Sequence, residues 1–372
     1  MNGPQKRFAL FIPALYGGGA ERATLNLATG LAGQGHAVDL VLAQAEGAYL
    51  AQVPGSVRLV VLKTRRLRAL RTLASLPFLV RYLQRERPDA LLATLHANIV
   101  ALWARRLAGI PRRVVISEQN TFSCGNQQTP RRYSLLMPRL LASFYPWADG
   151  IVAVSEGVAD DLAHATGVPR GRIRVIHNPI VTPNLEAKAK APLEHAWFEP
   201  GEPPVILAVG RLTAQKDFCT LIMAFARVRN TRPARLLILG QGEEREMLEG
   251  LVRQLGLEQD VSMPGFVTNP YAFMARAALF VLSSRWEGLP TVLVEALYCG
   301  APLIATDCPS GPREILRDGQ YGRLVPVEDA ATLAQTIEEA LDNKIPYPPP
   351  ESWHPYKLEM VVDQYLGMLL GS

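Results

Sequence analysis

Two basic residues, Arg211 and Lys216, lie in a segment whose position suits a bound diphosphate. The segment, 209–217, follows an apolar run over 205–209 that predicts a strand, and it precedes a helical pattern near 218–229. Two cations in such a strand–helix loop can hold a diphosphate and neutralise the charge that develops as it leaves. The alternative interpretation is a pair of ordinary surface cations.

Two acidic residues, Glu287 and Glu295, follow a predicted strand over 279–282 and have seven residues between them. Pro290 suits the first position of a helix, so a helix is predicted to start there, with Glu287 before it and Glu295 inside it. The free N–H groups of a helix start can bind phosphate. One carboxylate can then accept hydrogen bonds from both hydroxyls of a ribose, and the other can bind a sugar. The alternative interpretation is that both are ordinary acidic residues of the surface.

The glycines at 17–19 follow the first predicted strand, 8–12, and precede a helix that begins near Glu21. Glycines let backbone N–H groups approach an anion at a helix start, although a tight turn explains the same residues. The run is not G-x-G-x-x-G and no acidic residue for a dinucleotide ribose stands out, so NAD is not expected. His96 follows another predicted strand, 90–95, where it has either a functional or a structural role.

The elements that carry these residues form two series of alternating strands and helices. Short apolar runs between helical stretches are typical of parallel strands covered on both faces. The predicted strands are 8–12, 38–43, 57–62, 90–95, 114–117, 151–154 and 173–176 in the first series and 205–209, 236–239, 261–263, 279–282 and 303–306 in the second. Because ligands of such sheets bind beyond the carboxyl ends of the strands, we predict an α/β protein of two Rossmann-like domains facing each other across a cleft.

Proline-rich segments mark the predicted domain boundaries. Residues 1–181 form the first domain, and 182–204, with five prolines and no clear period, is interpreted as a linker. The second domain covers 205–345. A second proline run opens the tail, 346–372, which ends in an amphipathic stretch.

Charge is distributed unequally along the chain. Residues 1–185 hold 22 basic and 10 acidic residues, whereas 186–372 hold 17 and 24, so the first half is expected to face an anionic partner. Basic and apolar residues alternate at roughly helical spacing over 63–87, including Lys63, Arg65, Arg66 and Arg68. This pattern fits either an amphipathic face on an anionic membrane or a solvated helix whose apolar side lies in the core.

Several classes of protein are not expected. No stretch approaches the roughly 18 apolar residues of a membrane span, and the four cysteines lie far apart without a Cys-x-x-Cys pair, which argues against a disulfide framework and a zinc module. The short apolar run near the N-terminus fits a buried strand better than a signal peptide. No nucleic-acid-binding motif accompanies the basic residues, so no nucleic acid partner is expected. We expect a cytoplasmic protein, with peripheral attachment to the inner face of the membrane if the basic face binds lipid.

The sequence resembles the GT-B glycosyltransferases of family 4, particularly bacterial enzymes that build surface polysaccharides or lipid-linked oligosaccharides. The resemblance covers nearly the whole chain and is most specific over 205–342. The segments that carry it are GGGAER, GRLTAQKD, LILGQGEEREMLE, PGFV, SSRWEGLPTVLVEALYCGAPLIATD, CPSGPRE and DGQYGRLVP. The long segment contains the E-x7-E pattern of that family as Glu287 and Glu295.

The resemblance implies a retaining transferase that moves a hexose or N-acetylhexosamine from a nucleotide sugar, more often UDP-linked than GDP-linked, to an acceptor hydroxyl. No bound metal and no other cofactor are expected. The acceptor is expected to be a glycan or a lipid-linked glycan recognised by the first domain. The last helix of this fold often crosses back to the first domain.

The resemblance also implies roles for individual residues. Arg211 and Lys216 would hold the diphosphate, Glu295 would bind the ribose, and Glu287 would bind the donor sugar. Further donor contacts would come from the second domain through Gly288, Leu289, Pro290, Thr291, Val292 and Val267, and from the first domain through Gly18, Gly19 and His96. The expected catalytic residues are Glu287, His96, Arg211 and Lys216.

The residues leave the route to retention open. A double displacement needs a carboxylate nucleophile, for which Glu287 is only a candidate and Glu118 lies at another strand end without a matching motif. Departure and attack on the same face need no such group. Two other functions also remain as alternatives: a sugar-nucleotide epimerase on the same scaffold, and a non-catalytic partner subunit that retains the fold.

Overall fold

The structure, a computed structural model, describes residues 5–62, 71–110, 112–125 and 131–371. The chain divides into two compact units. Unit 1 comprises Met1–Ile180 with Pro355–Ser372, and unit 2 comprises Val181–His354. The prediction that two domains face each other across a cleft stays a prediction.

Unit 1 is built on a parallel sheet. Its strands in the described ranges are β1 (Arg7–Ile12), β2 (Ala37–Leu42), β3 (Val57–Val61), β4 (Ala90–Thr94), β5 (Arg113–Glu118), β6 (Gly150–Ala153) and β7 (Ile173–Val175). They are arranged in the order β3-β2-β1-β4-β5-β6-β7. The central strands are apolar along nearly their whole length because helices cover both faces of the sheet.

The helices of unit 1 before the second unit alternate with these strands. They are α1 (Gly19–Gly33), α2 (Arg71–Ala74), α3 (Leu76–Glu86), α4 (Asn98–Ala108), α5 (Phe122–Gly125), α6 (Arg131–Phe144) and α7 (Glu156–Thr166). Helix α7 is capped by Ser155, whose side chain accepts a hydrogen bond from the N–H of Val158.

Unit 2 contains a second parallel sheet. Its strands are β8 (Val205–Val209), β9 (Arg235–Leu239), β10 (Val261–Gly265), β11 (Leu279–Leu282), β12 (Leu303–Thr306) and β13 (Arg323–Val325), in the order β10-β9-β8-β11-β12-β13. Its helices are α8 (Pro183–Ala189), α9 (Phe218–Thr231), α10 (Arg245–Gln254), α11 (Tyr271–Met274), α12 (Thr291–Cys299), α13 (Pro312–Ile315) and α14 (Ala330–Leu341). Both sheets therefore have the strand order of a Rossmann fold, which reverses beside the first strand of each unit.

The last helix, α15 (Leu358–Leu370), returns to unit 1. Its residues Val361 and Val362 are buried in the core of that unit together with the strands. Helix α1 approaches α15 so closely that a Cβ atom at Gly30 would lie 2.5 Å from Cγ2 of Val362. Arg113 of β5 also donates a hydrogen bond to the carbonyl of Met368 at 2.6 Å. The crossing of the last helix that the resemblance implies is thus found within unit 1.

The segment predicted as a linker, 182–204, is folded as part of unit 2. It contains α8, whose first turn holds Pro183, a residue suited to that position. The guanidinium of Arg276 donates to the carbonyls of Ala189 and Ala191 at 3.3 and 3.0 Å. The prolines therefore shape a short segment fixed on unit 2 rather than a free connection.

Helix α3, the described part of the basic stretch, has its apolar side in the core of unit 1, and binding of its basic residues to a membrane surface stays a prediction. Its apolar residues Leu79 and Leu83 are buried in unit 1, and the hydroxyl of Tyr82 donates to buried Asp39 at 2.5 Å. Arg81 and Arg85 point to solvent. Lys63, Arg65, Arg66 and Arg68 lie outside the described residues. Within the described ranges, no helix has the length and apolar character that crossing a bilayer requires.

Candidate functional site

Two loops of unit 2 meet because the strands before them are neighbours. Strands β8 and β11 pair in parallel, with Leu279 opposite Ile206. The loops that follow them therefore leave the same edge of the sheet side by side. The N–H of Arg285 donates to the carbonyl of Gln215 at 2.8 Å, and the Gln215 side chain donates to the carbonyl of Trp286 at 2.9 Å. These two hydrogen bonds fix the Lys216 loop against the Glu287 loop.

The Lys216 ammonium and the Glu287 carboxylate form an ion pair in this position. Nζ of Lys216 lies 2.5 Å from Oε1 of Glu287, and the two side chains are only 16% and 7% exposed. The hydroxyl of Ser284 donates to the same oxygen at 2.6 Å. The methylene stem of Lys216 lies beside Gly210, where an added Cβ would meet it at 3.4 Å. A cation and a carboxylate are thus held together at the carboxyl edge of the sheet.

Asp217 holds the end of the Lys216 loop in an unusual backbone conformation. Its φ of 48° is left-handed, which few residues other than glycine adopt, and Asp is among the more tolerant ones. Its carboxylate caps α9 by accepting from the backbone N–H of Thr220 at 3.4 Å, and it also accepts from the Thr220 hydroxyl at 2.7 Å. Arg285 forms an ion pair with the same carboxylate at 3.3 Å. The residue after Lys216 is therefore fixed from both sides.

Arg211 differs from Lys216 because its side chain is exposed and forms no hydrogen bond or ion pair with the residues that the structure describes. Its loop is held by backbone contact with the loop after β9. A Cβ atom at Gly240, whose φ is +148°, would lie 1.8 Å from the carbonyl oxygen of Gly210, and one at Gly242 would lie 2.1 Å from that of Leu212. Only glycine permits these approaches. Arg211 is thus an available cation on a fixed loop.

Helix α12 begins at Thr291, one residue later than the position predicted from Pro290, which is the residue before the helix. Its first turn has no side-chain cap and no acidic residue. Helix starts of this kind leave backbone N–H groups available to an anion. Glu295 lies inside this helix, about one turn after its start. It is 9% exposed, and the hydroxyl of Tyr271 donates to its Oε1 at 3.3 Å.

The turn before α12 is supported by the loop after β12. The hydroxyl of Ser310 donates to the carbonyl of Gly288 at 2.8 Å, and the N–H of Glu287 donates to the carbonyl of Pro309. Leu289 and Pro290 are buried, whereas Thr291 and Val292 are half-buried. Val267 lies further away in the chain, after β10, and is half-buried beside the exposed ring of Phe266.

The predicted residues of unit 1 lie after two neighbouring strands, β1 and β4. Gly18 is the residue before α1, and Gly19 is the first residue of that helix. A Cβ atom at Gly18 would lie 2.4 Å from the carboxylate of Glu21, so a larger residue would displace that side chain. His96 is exposed on a short turn after β4, next to Leu95, whose φ of 63° is left-handed. The joint action of these residues with those of unit 2 stays a prediction.

Glu118 is placed where it does not suit the role of a nucleophile. It is buried at the end of β5, hydrogen-bonded to the hydroxyl of Tyr145 and, at 2.6 Å, to the side-chain amide of Asn98. Burial raises the pKa of Glu118 to about 7, while the hydrogen bonds from Tyr145 and Asn98 act in the opposite direction. The carboxyl group belongs to a buried polar cluster of unit 1.

Sequence reasoning missed the side chains that support the predicted ones. Ser284 and Tyr271 contact the two carboxylates, and Asp217 fixes the Lys216 loop. Nothing in the sequence around Ser284, in a pair of serines, or around Tyr271, in a short helix, indicates a contact with these carboxylates. Gly240 and Gly242 could have been found from the sequence, since glycines after a strand often mark a close backbone approach.

Two family models match the chain, one for each half. The model described as "Glycosyltransferase Family 4" matches residues 17–182, and the model "Glycosyl transferases group 1" matches residues 191–358. The second match contains the Lys216 and Glu287 loops as well as α12. The matched regions divide at the proline-rich segment.

Two relatives illustrate the similarity. The chain is 30% identical, over 95% of its length and 96% of the relative's, to the lipopolysaccharide core biosynthesis glycosyltransferase LpsE of Rhizobium meliloti. It is 34% identical to the N-acetylgalactosamine-N,N'-diacetylbacillosaminyl-diphospho-undecaprenol 4-alpha-N-acetylgalactosaminyltransferase of Campylobacter jejuni. That match covers 66% of the chain and 65% of the relative's length.

Solved structures share the fold. The HepE protein of Anabaena in complex with UDP and glucose superposes with a TM-score of 0.79 at 20% identity, covering 99% of this chain and 100% of that one. The apo form of the lipopolysaccharide outer core galactosyltransferase WaaB gives a TM-score of 0.73 at 20% identity, with coverages of 98% and 99%. The predicted GT-B architecture of two parallel-sheet α/β domains is thereby confirmed.

Proposed function

The chain belongs to the glycosyltransferases that combine a family 4 domain with a group 1 domain, and we propose that it transfers a hexose or an N-acetylhexosamine from a nucleotide sugar to a hydroxyl of a lipid-anchored glycan. The observation that carries the proposal is the fixed pair of Lys216 and Glu287 beside the uncapped start of α12. A nucleotide-sugar donor carries an anionic diphosphate next to a sugar with hydroxyl groups. Lys216 can bind the diphosphate and the adjacent Glu287 can accept a hydrogen bond from the sugar.

The donor is bound in unit 2 through its anionic and hydroxyl groups. Lys216 keeps two further N–H donors beside the one directed at Glu287, and these hold the diphosphate together with the exposed guanidinium of Arg211. The N–H groups at the start of α12 bind a phosphate oxygen. Glu295 accepts hydrogen bonds from the ribose hydroxyls, and Glu287 accepts one from the sugar.

The transfer breaks the bond between the anomeric carbon and the diphosphate oxygen and forms a bond from that carbon to the acceptor oxygen. The two cations stabilise the negative charge that develops on the leaving diphosphate, which takes the proton of the acceptor hydroxyl. Departure and attack on one face retain the anomeric configuration without a nucleophile from the protein. The burial and hydrogen bonding of Glu118 support this route over a double displacement on that residue.

In this proposal no bound metal ion takes part, because Arg211, Lys216 and the helix start meet the diphosphate charge. The nucleotide is UDP, which is supported by the UDP and glucose in the HepE structure of similar fold. The acceptor carries a lipid, which is supported by the names of the two relatives, one acting in lipopolysaccharide core biosynthesis and the other on a diphospho-undecaprenol substrate.

The protein reaches such an acceptor at an anionic membrane surface. The exposed Arg81 and Arg85 of α3, together with the basic residues at 63–71, supply the attraction. The apolar side of α3 takes no part because Leu79 and Leu83 are buried in unit 1. The attachment is therefore electrostatic and reversible, and the protein works from the inner face of the membrane.

The test is release of nucleoside diphosphate by the purified protein. A panel of UDP-glucose, UDP-galactose, UDP-N-acetylglucosamine, UDP-N-acetylgalactosamine and GDP-mannose is offered with an undecaprenyl-diphosphate-linked glycan or with a lipid A–core glycan. We expect one donor and one acceptor to give free nucleoside diphosphate and an extended glycan, with EDTA leaving the rate unchanged. A new sugar nucleotide formed without any acceptor would support an epimerase, and failure to bind UDP or GDP by calorimetry would support a non-catalytic subunit.

A further inference from the structure

Ser284 is a fully buried serine whose hydroxyl touches the carboxylate proposed to bind the donor sugar. We propose that Ser284 is a positioning residue that fixes Glu287 so that a single carboxylate oxygen, Oε2, faces the donor. This inference rests on the proposed function and adds a residue that the sequence motif does not single out. It assigns to Ser284 the orientation of Glu287 during the transfer.

The hydrogen bonds on the Glu287 carboxylate are one-sided. The Ser284 hydroxyl and the Lys216 ammonium both donate to Oε1, at 2.6 and 2.5 Å. Oε2 forms no hydrogen bond with the residues that the structure describes. A carboxylate can accept about four hydrogen bonds, so the two donors occupy one oxygen and leave the lone pairs of the other for a sugar hydroxyl.

Ser284 is the rigid member of the two donors. Its side chain has one rotatable bond before the hydroxyl, whereas the Lys216 stem is flexible and its ammonium is shared between Glu287 and the diphosphate. The carbonyl of Ser284 accepts from the hydroxyl of Thr306 at 2.5 Å, which ties the serine to β12. When the donor competes for Lys216, the hydrogen bond from Ser284 remains and keeps the carboxylate in place.

Positioning by Ser284 should affect the transfer step more than donor binding. A carboxylate that rotates out of place weakens contacts that must be well oriented in the transition state, and small misplacements there are costly to the rate. We expect Ser284→Ala to lower kcat about tenfold and to change the KM for the donor less than threefold. Ser284→Cys, which retains a weak donor, should give an intermediate kcat.

A double-mutant cycle separates positioning from a structural role. If Ser284 acts only through Glu287, the tenfold loss caused by Ser284→Ala in the wild type should shrink below twofold in a Glu287→Ala background. A loss of equal size in both backgrounds would overturn the inference, as would an unchanged kcat in the wild-type background. Ser155→Ala removes another fully buried serine, in unit 1, and serves as the matched control for stability.

The possible outcomes distinguish the inference from the function on which it rests. Wild-type protein that transfers no sugar with any donor and acceptor of the panel would overturn both. Active wild-type protein with additive losses would overturn the role of Ser284 alone. If Ser284→Ala does not fold, the Ser284→Cys variant decides the question in the same cycle, and an unchanged kcat there would count against the inference.

Discussion

The ammonium of Lys216 lies 2.5 Å from Oε1 of Glu287, although 71 positions separate these residues in the chain. Their loops follow β8 and β11, which are neighbours in the sheet but not in sequence. The pair joins the group proposed to hold the diphosphate to the group proposed to hold the sugar. A change at either residue is therefore expected to affect both halves of the donor.

Replacing Lys216 by Ala should reduce transferase activity at least tenfold, since a cation that stabilises the leaving diphosphate is lost. It also leaves the buried carboxylate of Glu287 without its ion pair, which lowers the free energy of unfolding by roughly 3–5 kcal/mol. Adding Glu287→Gln removes the unpaired charge, so the double variant should regain stability but not activity. Steady-state kinetics and thermal denaturation measure the two effects.

The control for that variant is Lys344→Ala, which removes an exposed lysine paired with Asp342 at 3.0 Å. An exposed pair of this kind contributes little to stability. Near-normal turnover in the Lys216→Ala protein would contradict the site assignment.

Replacing Glu295 by Ala should lower kcat/KM for the donor at least tenfold, chiefly through a higher KM. Hydrogen bonds to a charged group contribute roughly 1.5–3 kcal/mol each, and a ribose would lose its charged acceptor. Tyr271→Phe removes one donor to that carboxylate and should have a smaller effect. Calorimetric titration of UDP measures the same loss without turnover.

Glu351→Ala, at an exposed position of unit 2, is the matched control. Unchanged affinity for UDP in the Glu295→Ala protein would remove this residue from the ribose site.

Replacing Glu118 by Gln should stabilise the protein increasingly as the pH rises. The pKa of Glu118 is raised from 4.5 to about 7 in the folded chain, mainly by burial. Between these values the unfolded chain loses its proton while the folded chain keeps it, so wild-type stability falls with rising pH, and the full cost is reached above pH 7. The shift corresponds to about 3 kcal/mol.

Denaturant midpoints of wild type and Glu118→Gln at pH 4 and pH 8 provide the measurement. The advantage of the variant should be larger at pH 8, whereas Glu202→Gln, at an exposed carboxylate, should show no such difference. An advantage that does not change with pH would contradict the burial of a titrating Glu118.

Replacing Arg65, Arg66, Arg68 and Arg71 by Gln should abolish binding to anionic vesicles at low salt. Each cation near such a surface contributes about 1 kcal/mol, and salt screens the attraction. The pair Arg81→Gln and Arg85→Gln should weaken binding to a smaller extent. Vesicle flotation at low and at high salt provides the readout.

The double variant Arg227→Gln and Arg253→Gln, at two exposed arginines of unit 2, is the control. Wild-type protein that stays free of anionic vesicles at low salt would refute the electrostatic attachment.

The two sheets could be predicted from the sequence because short apolar runs that alternate with helices fit few structures other than a parallel sheet. Strand β13 does not, since Arg323–Val325 is only three residues long and begins with an exposed arginine. Helix α8 could not be predicted for a similar reason, because its seven residues in a proline-rich segment show no helical period. In both cases, packing on a neighbouring element determines the structure, and a local pattern does not report it.

The site could be predicted in part. Glycines, cations and acids at strand ends indicate an anion site, and the E-x7-E pattern adds the two carboxylates. The pairing of Lys216 with Glu287 depends on the order of strands in the sheet, which apolar runs do not reveal. For the amphipathic stretch near α3, the sequence pattern predicts the local structure but not its surroundings. Periodicity predicts an apolar side of the helix without saying whether protein or lipid covers it.

Helix α15 follows unit 2 in the chain but fills the core of unit 1. During synthesis, the ribosome therefore has to deliver all of unit 2 before unit 1 can close around Val361 and Val362. Unit 2 is one continuous segment and can fold as soon as it emerges. Unit 1 is therefore the first unit to be synthesised and the last to be completed. Until α15 is made, the apolar face of α1 that packs against it in the folded protein stays uncovered in the nascent chain.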